Sequence, residues 1–162
     1  MRITALGRSA ARNGSPVLVV LIQILAVGGA PASAAQPGDP LEACRALFAE
    51  KPDDYESAAC FARVALDDRL WPEGRRAFDT LIAAHPANFW LPLAYGNAWV
   101  ARSPERAEQF YRQAADGFRA SGHREGELLA RSTLRTFLFP RGRVNEAARE
   151  AARVVEIGDA SG

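Results

Sequence analysis

Only two histidines and two cysteines occur among the 162 residues, and this scarcity excludes several kinds of active site. A hydrolytic nucleophile needs a histidine or an equivalent base beside it, and a zinc site needs clustered cysteine and histidine ligands. Here His85 and His123 are distant from each other, and Cys44 and Cys60 are 16 positions apart. A glycine-rich phosphate loop is also missing. We therefore predict that the protein is not an enzyme and has no metal site and no cofactor.

Patterns typical of β-strands are absent as well. Beyond Pro37 no stretch alternates polar residues with Val, Ile or Thr, whereas Ala, Leu, Arg and Glu recur at spacings of three and four. This periodicity predicts an all-α protein, and proline and glycine separate its helices. The predicted helices lie at about 40–50, 54–68, 72–84, 88–102, 104–121, 124–138 and 144–157.

A hydrophobic run long enough to span a bilayer is missing too. The apolar run from Val17 to Val27 has eleven residues, whereas a membrane-spanning helix needs roughly 20. Three arginines precede this run, and Ala32-Ser33-Ala34 follows it, which is typical of a secretory signal peptide (1–34) cleaved after Ala34. An uncleaved anchor is the alternative. We expect a periplasmic or secreted protein without stable membrane insertion after cleavage.

The mature chain has little net charge. Removal of residues 1–34 leaves 17 basic and 19 acidic residues, so the formal net charge changes from +1 to −2. Nucleic-acid binders need a concentrated basic face, and binding to anionic lipid needs a polybasic segment. We therefore expect no nucleic-acid partner. About 128 residues remain, which suffice for one domain.

The two cysteines lie in neighbouring predicted helices. Cys44 lies eight residues before Pro52 and Cys60 eight residues after it, so two antiparallel helices bring the two cysteines level. In an exported chain this favours a disulfide, which would stabilise the fold by roughly 3 kcal/mol on a loop-entropy estimate. Two buried free thiols are the alternative.

A helix-hairpin pattern occurs three times. The first copy has Phe61-Ala62, then Gly74, Phe78, Leu81 and Pro86. The second has Tyr95-Gly96 and Trp99, then Ala107, Tyr111 and Ala114. The third has Leu134 and Leu138, then Ala147, Ala151 and Val154. Small residues at these positions let two helices approach closely, and bulky residues fill the space beside them. One supersecondary unit is thus used in tandem.

With these residues the chain resembles the tetratricopeptide repeat (TPR) family over residues 54–158. The resemblance implies an exported bacterial TPR protein, an α-solenoid of about three hairpins with units near 54–87, 88–122 and 123–158. An N-terminal segment with a helix (35–53) would precede it, and a tail (159–162) would follow. The implied function is a non-enzymatic adaptor or scaffold that binds a peptide or protein in a concave groove.

In this family the groove is lined mainly by the first helix of each hairpin. The residues that follow the inner side of those helices are Glu56, Ala59, Arg63, Leu66, Trp90, Leu93, Asn97, Val100, Leu129, Ser132, Thr136 and Phe139. The partner-binding candidates among them are Arg63, Trp90, Leu93, Asn97 and Thr136. Arg63 and Asn97 would suit a peptide carboxylate or backbone, and Trp90 would be a half-exposed anchor. Tyr95 and Trp99 are assigned to the core. Solvated groove residues without a ligand are the alternative.

The C-terminal end of the repeat pattern shows no polar capping helix, which solenoids usually have. We hypothesise that the face around Val154 and Val155 is open and is covered by a partner or by a second copy of the chain. The protein would then be a structural assembly subunit, with a homo-oligomer as one form of that assembly. A truncated relative of a longer array is the other interpretation.

Overall fold

The computed structural model describes residues 38–159, and its regular elements are all helical. They are α1 (Pro40–Glu50), α2 (Tyr55–Leu66), α3 (Trp71–Ala84), α4 (Trp90–Trp99), α5 (Pro104–Ser121), α6 (Arg124–Leu138), a 3₁₀ turn (Phe139–Arg141) and α7 (Val144–Asp159). The predicted all-α class is confirmed for this range. The predicted signal peptide (1–34) and residues 160–162 lie outside it. From residue 38 to residue 159, no helix combines the length and apolarity needed to cross a membrane.

The helix limits follow capping residues. Asp39 accepts a hydrogen bond from the backbone N–H of Leu41 at 2.9 Å, at the start of α1. Ser103 caps α5, and Pro104 follows in the first turn, where a missing N–H has no cost. Gly122 ends α5 with a φ of +72°, a conformation that favours glycine. These local signals explain why the helix limits could be predicted to within three residues.

Each helix packs against the next one in the chain, and α2 also packs against α4. The centre of the core contains a row of contacting aromatic rings on three helices. The ring centroids of Phe61 and Phe78 lie 6.0 Å apart, and those of Phe78 and Tyr95 lie 4.4 Å apart. Because α2, α3 and α5 surround α4, nine of the ten residues of α4 are buried.

Two glycines set the distance between paired helices. A Cβ atom added to Gly74 would lie 2.8 Å from the Cβ of Ala65, so α3 touches α2 almost backbone to backbone. A Cβ atom added to Gly96 would lie 2.5 Å from the ring of Tyr111 on α5. Both distances are shorter than van der Waals contact, and any larger residue would force the helices apart.

The first two helices are joined covalently. Cys44 on α1 and Cys60 on α2 lie at disulfide distance, with their Cα atoms 5.5 Å apart. The pairing expected from the sequence is therefore present in the structure. α1 is thus attached to the rest of the fold in two ways, by the packing of its three buried residues and by this crosslink.

The last helix, by contrast, has little fully buried surface, and ion pairs join it to its neighbours. α7 buries only Ala147, and a buried ion triad joins it to α6. The Nε of Arg131 donates to Glu127 at 2.7 Å, and a terminal nitrogen of Arg131 donates to Glu150 on α7 at 3.0 Å. Burial alone would lower the pKa of Arg131, but these hydrogen bonds raise it, so the guanidinium stays charged.

A second, more exposed ion cluster joins α7 to α5. Arg112 and Arg143 each pair with Glu108 on α5 and with Glu146 on α7. Burial alone would raise the pKa of Glu108, but hydrogen bonds from the two arginines hold that pKa below its ordinary value. Hydrogen bonding from Arg143 likewise lowers the pKa of Glu146. Depressed carboxyl pKa values stabilise the fold at neutral pH, and this contribution is lost as pH falls through them.

Candidate partner-binding groove

Two adjoining depressions are lined mainly by residues of α2, α4 and α6, and they share Ser132. The polar pocket, of about 420 Å³, is lined by Asn97, Val100, Tyr111, Ser132, Thr133, Thr136, Phe137 and Arg141. The acidic pocket, of about 680 Å³, is lined by Asp53, Asp54, Tyr55, Glu56, Trp90, His123, Glu125, Leu128, Leu129 and Ser132. We refer to the two pockets together as the groove.

A hydrogen-bonded chain of three side chains links the two pockets. Asn97 on α4 donates from its amide nitrogen to the hydroxyl of Tyr55 on α2, at 3.0 Å. The hydroxyl of Tyr111 on α5 donates to the amide oxygen of Asn97, at 2.7 Å. Burial raises the pKa of both tyrosines, so the phenols remain neutral. The groove therefore has an uncharged polar centre whose geometry is fixed by three helices.

The polar pocket also contains side chains whose hydrogen-bonding capacity is not fully used within the described residues. Ser132 Oγ makes no hydrogen bond within the described residues. The hydroxyl of Thr136 donates to the backbone carbonyl of Ser132 at 2.9 Å, which leaves its oxygen free to accept. Arg141 donates one N–H to the carbonyl of Phe137 at 2.8 Å and lies over the ring of that residue. Such a mixture of donors and acceptors suits a peptide backbone.

Aromatic rings line one side of the acidic pocket. The centroid of the Trp90 ring lies 5.9 Å from that of Tyr55 and 5.4 Å from that of His123. The backbone N–H of Trp90 donates to the side-chain oxygen of Asn88 at 3.1 Å, and the amide nitrogen of Asn88 donates to the carbonyl of Pro52 at 2.6 Å. Asn88 thus holds the start of α4 against the α1–α2 loop.

Carboxylates surround these rings, and neither Lys nor Arg is among the residues that line the acidic pocket. Asp54 caps α2 through the N–H of Glu56, at 3.3 Å, and Glu56 pairs with Arg63. Asp53 and Glu125 have no ion pair and no side-chain hydrogen bond within residues 38–159. In that range no group of three or more potential ligands is placed to hold a metal ion.

The structure places the predicted contact residues unequally. Asn97 and Thr136 line the polar pocket. Trp90 lines the acidic pocket but is only 9% exposed, so its expected half-exposure is wrong. Leu93 is 1% exposed and belongs to the core, so it is not a surface contact. Both corrections have one cause, because α4 is enclosed by its neighbours and Asn97 is its one residue that is not buried. Trp99, at 8% exposure, is buried as expected.

Arg63 lies on the exposed surface of α2 and lines neither pocket. Its side chain is 60% exposed, and its guanidinium pairs with Glu56 at 3.3 Å. Arg63 and Asn97 are therefore not brought together in one binding site, and the amide of Asn97 is hydrogen-bonded to two tyrosines.

Sequence reasoning missed three residues that shape the groove. The hairpin pattern places Tyr111 in the packing between paired helices. Tyr55 and Arg141 belong to no repeated motif, since Tyr55 begins α2 and Arg141 lies in the turn after α6. The enclosure of α4 did have a sequence signal, since no charged residue occurs between Phe89 and Val100. A helix that is apolar on nearly every face is typically buried.

Comparisons of the chain with family models, with curated proteins and with solved structures gave no match.

Proposed function

We propose that the protein is a non-enzymatic adaptor that binds an extended segment of a peptide or protein in the groove. The observation that carries this proposal is the Tyr55–Asn97–Tyr111 chain, a preformed polar centre beside the free hydroxyl of Ser132. Preorganised groups lose little conformational entropy on binding, which favours affinity for a flexible peptide.

The proposal includes a TPR-like solenoid in which α2–α3, α4–α5 and α6–α7 are the three hairpins. The threefold sequence pattern supports it, as do the close approaches at Gly74 and Gly96 and the packing of α2 on α4. We also propose export to the periplasm or the exterior, where the Cys44–Cys60 pair would be kept oxidised.

The test of groove binding is Ser132→Arg, which fills the junction of the two pockets. Ser132 is partly exposed, so the longer side chain extends into the groove without disturbing the core. Peptides selected from a random display library on the wild-type protein should bind the variant at least tenfold more weakly, by fluorescence anisotropy. A tenfold change corresponds to about 1.4 kcal/mol.

Gln113→Arg is the matched control, because Gln113 is exposed on α5 and lines neither pocket. It should leave peptide affinity unchanged. Selection of no peptide by the wild type, or equal loss with both variants, would contradict groove binding.

An apolar surface at the C-terminal end favours a second candidate function, assembly into a larger structure. A depression of about 630 Å³ there is lined by Arg135, Thr136, Phe139, Pro140, Val144, Ala147, Ala148 and Ala151. Phe139 is 64% exposed, and Val144 and Val155 are each more than half exposed. Phe139 and Val144 adjoin the depression, whereas Val155 lies elsewhere on α7. Exposed apolar patches of this kind mark association surfaces. Val154, expected at the same face, is half-buried.

For this second function, the prediction is that Phe139→Glu reduces self-association. The added charge would be desolvated in any interface that covers the C-terminal depression, so oligomers should dissociate. Light scattering at rising protein concentration measures this directly. Leu66→Glu is the control, since Leu66 is similarly exposed on α2. A wild-type protein that stays monomeric at high concentration would remove the homo-oligomer form of this candidate.

A further inference from the structure

The charges of the groove are distributed asymmetrically along its length. The polar pocket contains Arg141 and no acidic residue, whereas the acidic pocket contains four carboxylates and one histidine, His123, but neither Lys nor Arg. The two pockets meet at Ser132, so one peptide lying across that residue would enter both. Its two ends would experience different electrostatic environments.

Two of the four carboxylates already serve the fold. Asp54 caps α2, and Glu56 pairs with Arg63. Asp53 and Glu125, on the α1–α2 loop and in the first turn of α6, have no partner of their own within residues 38–159. Their carboxylates therefore line the same cavity without an ion-pair partner.

The rings of this pocket favour a cation as well. Trp90 contacts Tyr55 and His123, and all three border the same cavity as the carboxylates. Tyr55 is partly exposed and Trp90 is 9% exposed, so the accessible part of these rings adds to the attraction of the carboxylates for an ammonium or guanidinium group. Leu128 and Leu129 add apolar surface, which suits the methylene stem of a long basic side chain.

We propose that the acidic pocket binds the side chain of a lysine or arginine in the peptide that occupies the groove. The backbone of that peptide continues past Ser132 into the polar pocket. This inference rests on the proposed peptide binding and adds the chemistry of the ligand. Charge complementarity, aromatic surface and a cavity of about 680 Å³ all select the same occupant.

The experiment uses a positional-scanning library of seven-residue peptides, acetylated and amidated so that no terminal charge is present. Each position is fixed in turn as Arg, Lys, norleucine or Glu. The wild-type protein should prefer Arg or Lys over norleucine at least tenfold at one position, and added salt should reduce this preference. The double variant Asp53→Asn and Glu125→Gln should lose it.

Glu105→Gln is the matched control, because Glu105 occupies the first turn of α5 as Glu125 does that of α6. The control variant should keep the preference for basic residues. Peptides that bind and are blocked by Ser132→Arg, but show no preference for Arg or Lys, would overturn the inference and leave groove binding intact. A preference that survives in the double variant would also overturn it. Failure of every peptide to bind would refute the proposed function itself.

Discussion

Replacement of Arg131 by alanine is expected to lower the free energy of unfolding by about 3–5 kcal/mol. The guanidinium is 8% exposed and is shared by two carboxylates that are themselves mostly buried, Glu127 on α6 and Glu150 on α7. Its removal leaves two like charges facing each other without a counter-ion. Urea denaturation followed by circular dichroism measures the change.

The matched control is Arg153→Ala on α7, because Arg153 pairs with Glu156 at 2.8 Å in a solvent-exposed position. That change should cost no more than about 1 kcal/mol, as exposed ion pairs contribute little. Arg131→Met combined with Glu127→Leu and Glu150→Leu should recover most of the stability, since an apolar replacement has no charge to desolvate. Equal losses for Arg131→Ala and Arg153→Ala would show that the buried triad does not hold α7.

Trp90→Ala and Trp99→Ala are each expected to lower the free energy of unfolding by about 3–5 kcal/mol. Both indole side chains are more than nine-tenths buried. Trp90 packs against Phe118, with ring centroids 4.5 Å apart, and Trp99 packs against Trp71 at 4.7 Å. Either truncation leaves a large cavity between helices, which thermal or chemical denaturation would detect.

Phe139→Ala is the comparison for these two variants, because Phe139 is a large aromatic residue that is mostly exposed. Its loss should change stability by no more than about 0.5 kcal/mol. If Trp90→Ala proved as mild as Phe139→Ala while Trp99→Ala was severe, Trp90 would be an exposed anchor after all, and its burial against Phe118 would be wrong.

The helices could be predicted because their signals are local. Asp39, Ser103 and Gly122 act on the backbone within a few residues of themselves, so their effect does not depend on the rest of the fold. The Cys44–Cys60 pairing could also be predicted from local information, because only one short loop separates the two helices that carry these cysteines.

The groove was predicted less well because its residues depend on how helices pack. The expectation for Trp90 and Leu93 assumed that α4 has an open side, and only the number of its neighbours decides that. The ion pair of Arg131 with Glu150 is hard to predict from the sequence for the same reason. The spacing of Glu127 and Arg131 is visible in the sequence, but the arrival of Glu150 depends on the register of α7 against α6.

The first and last helices of the described chain are attached to the fold by different means. Local unfolding is therefore expected to begin at one particular end. A covalent crosslink holds α1 to α2, whereas α7 fully buries a single alanine and is joined to α5 and α6 by ion pairs. Local opening should therefore begin with the C-terminal helix. A protease that cuts only transiently released chain would trim α7 early and reach the N-terminal helix pair last.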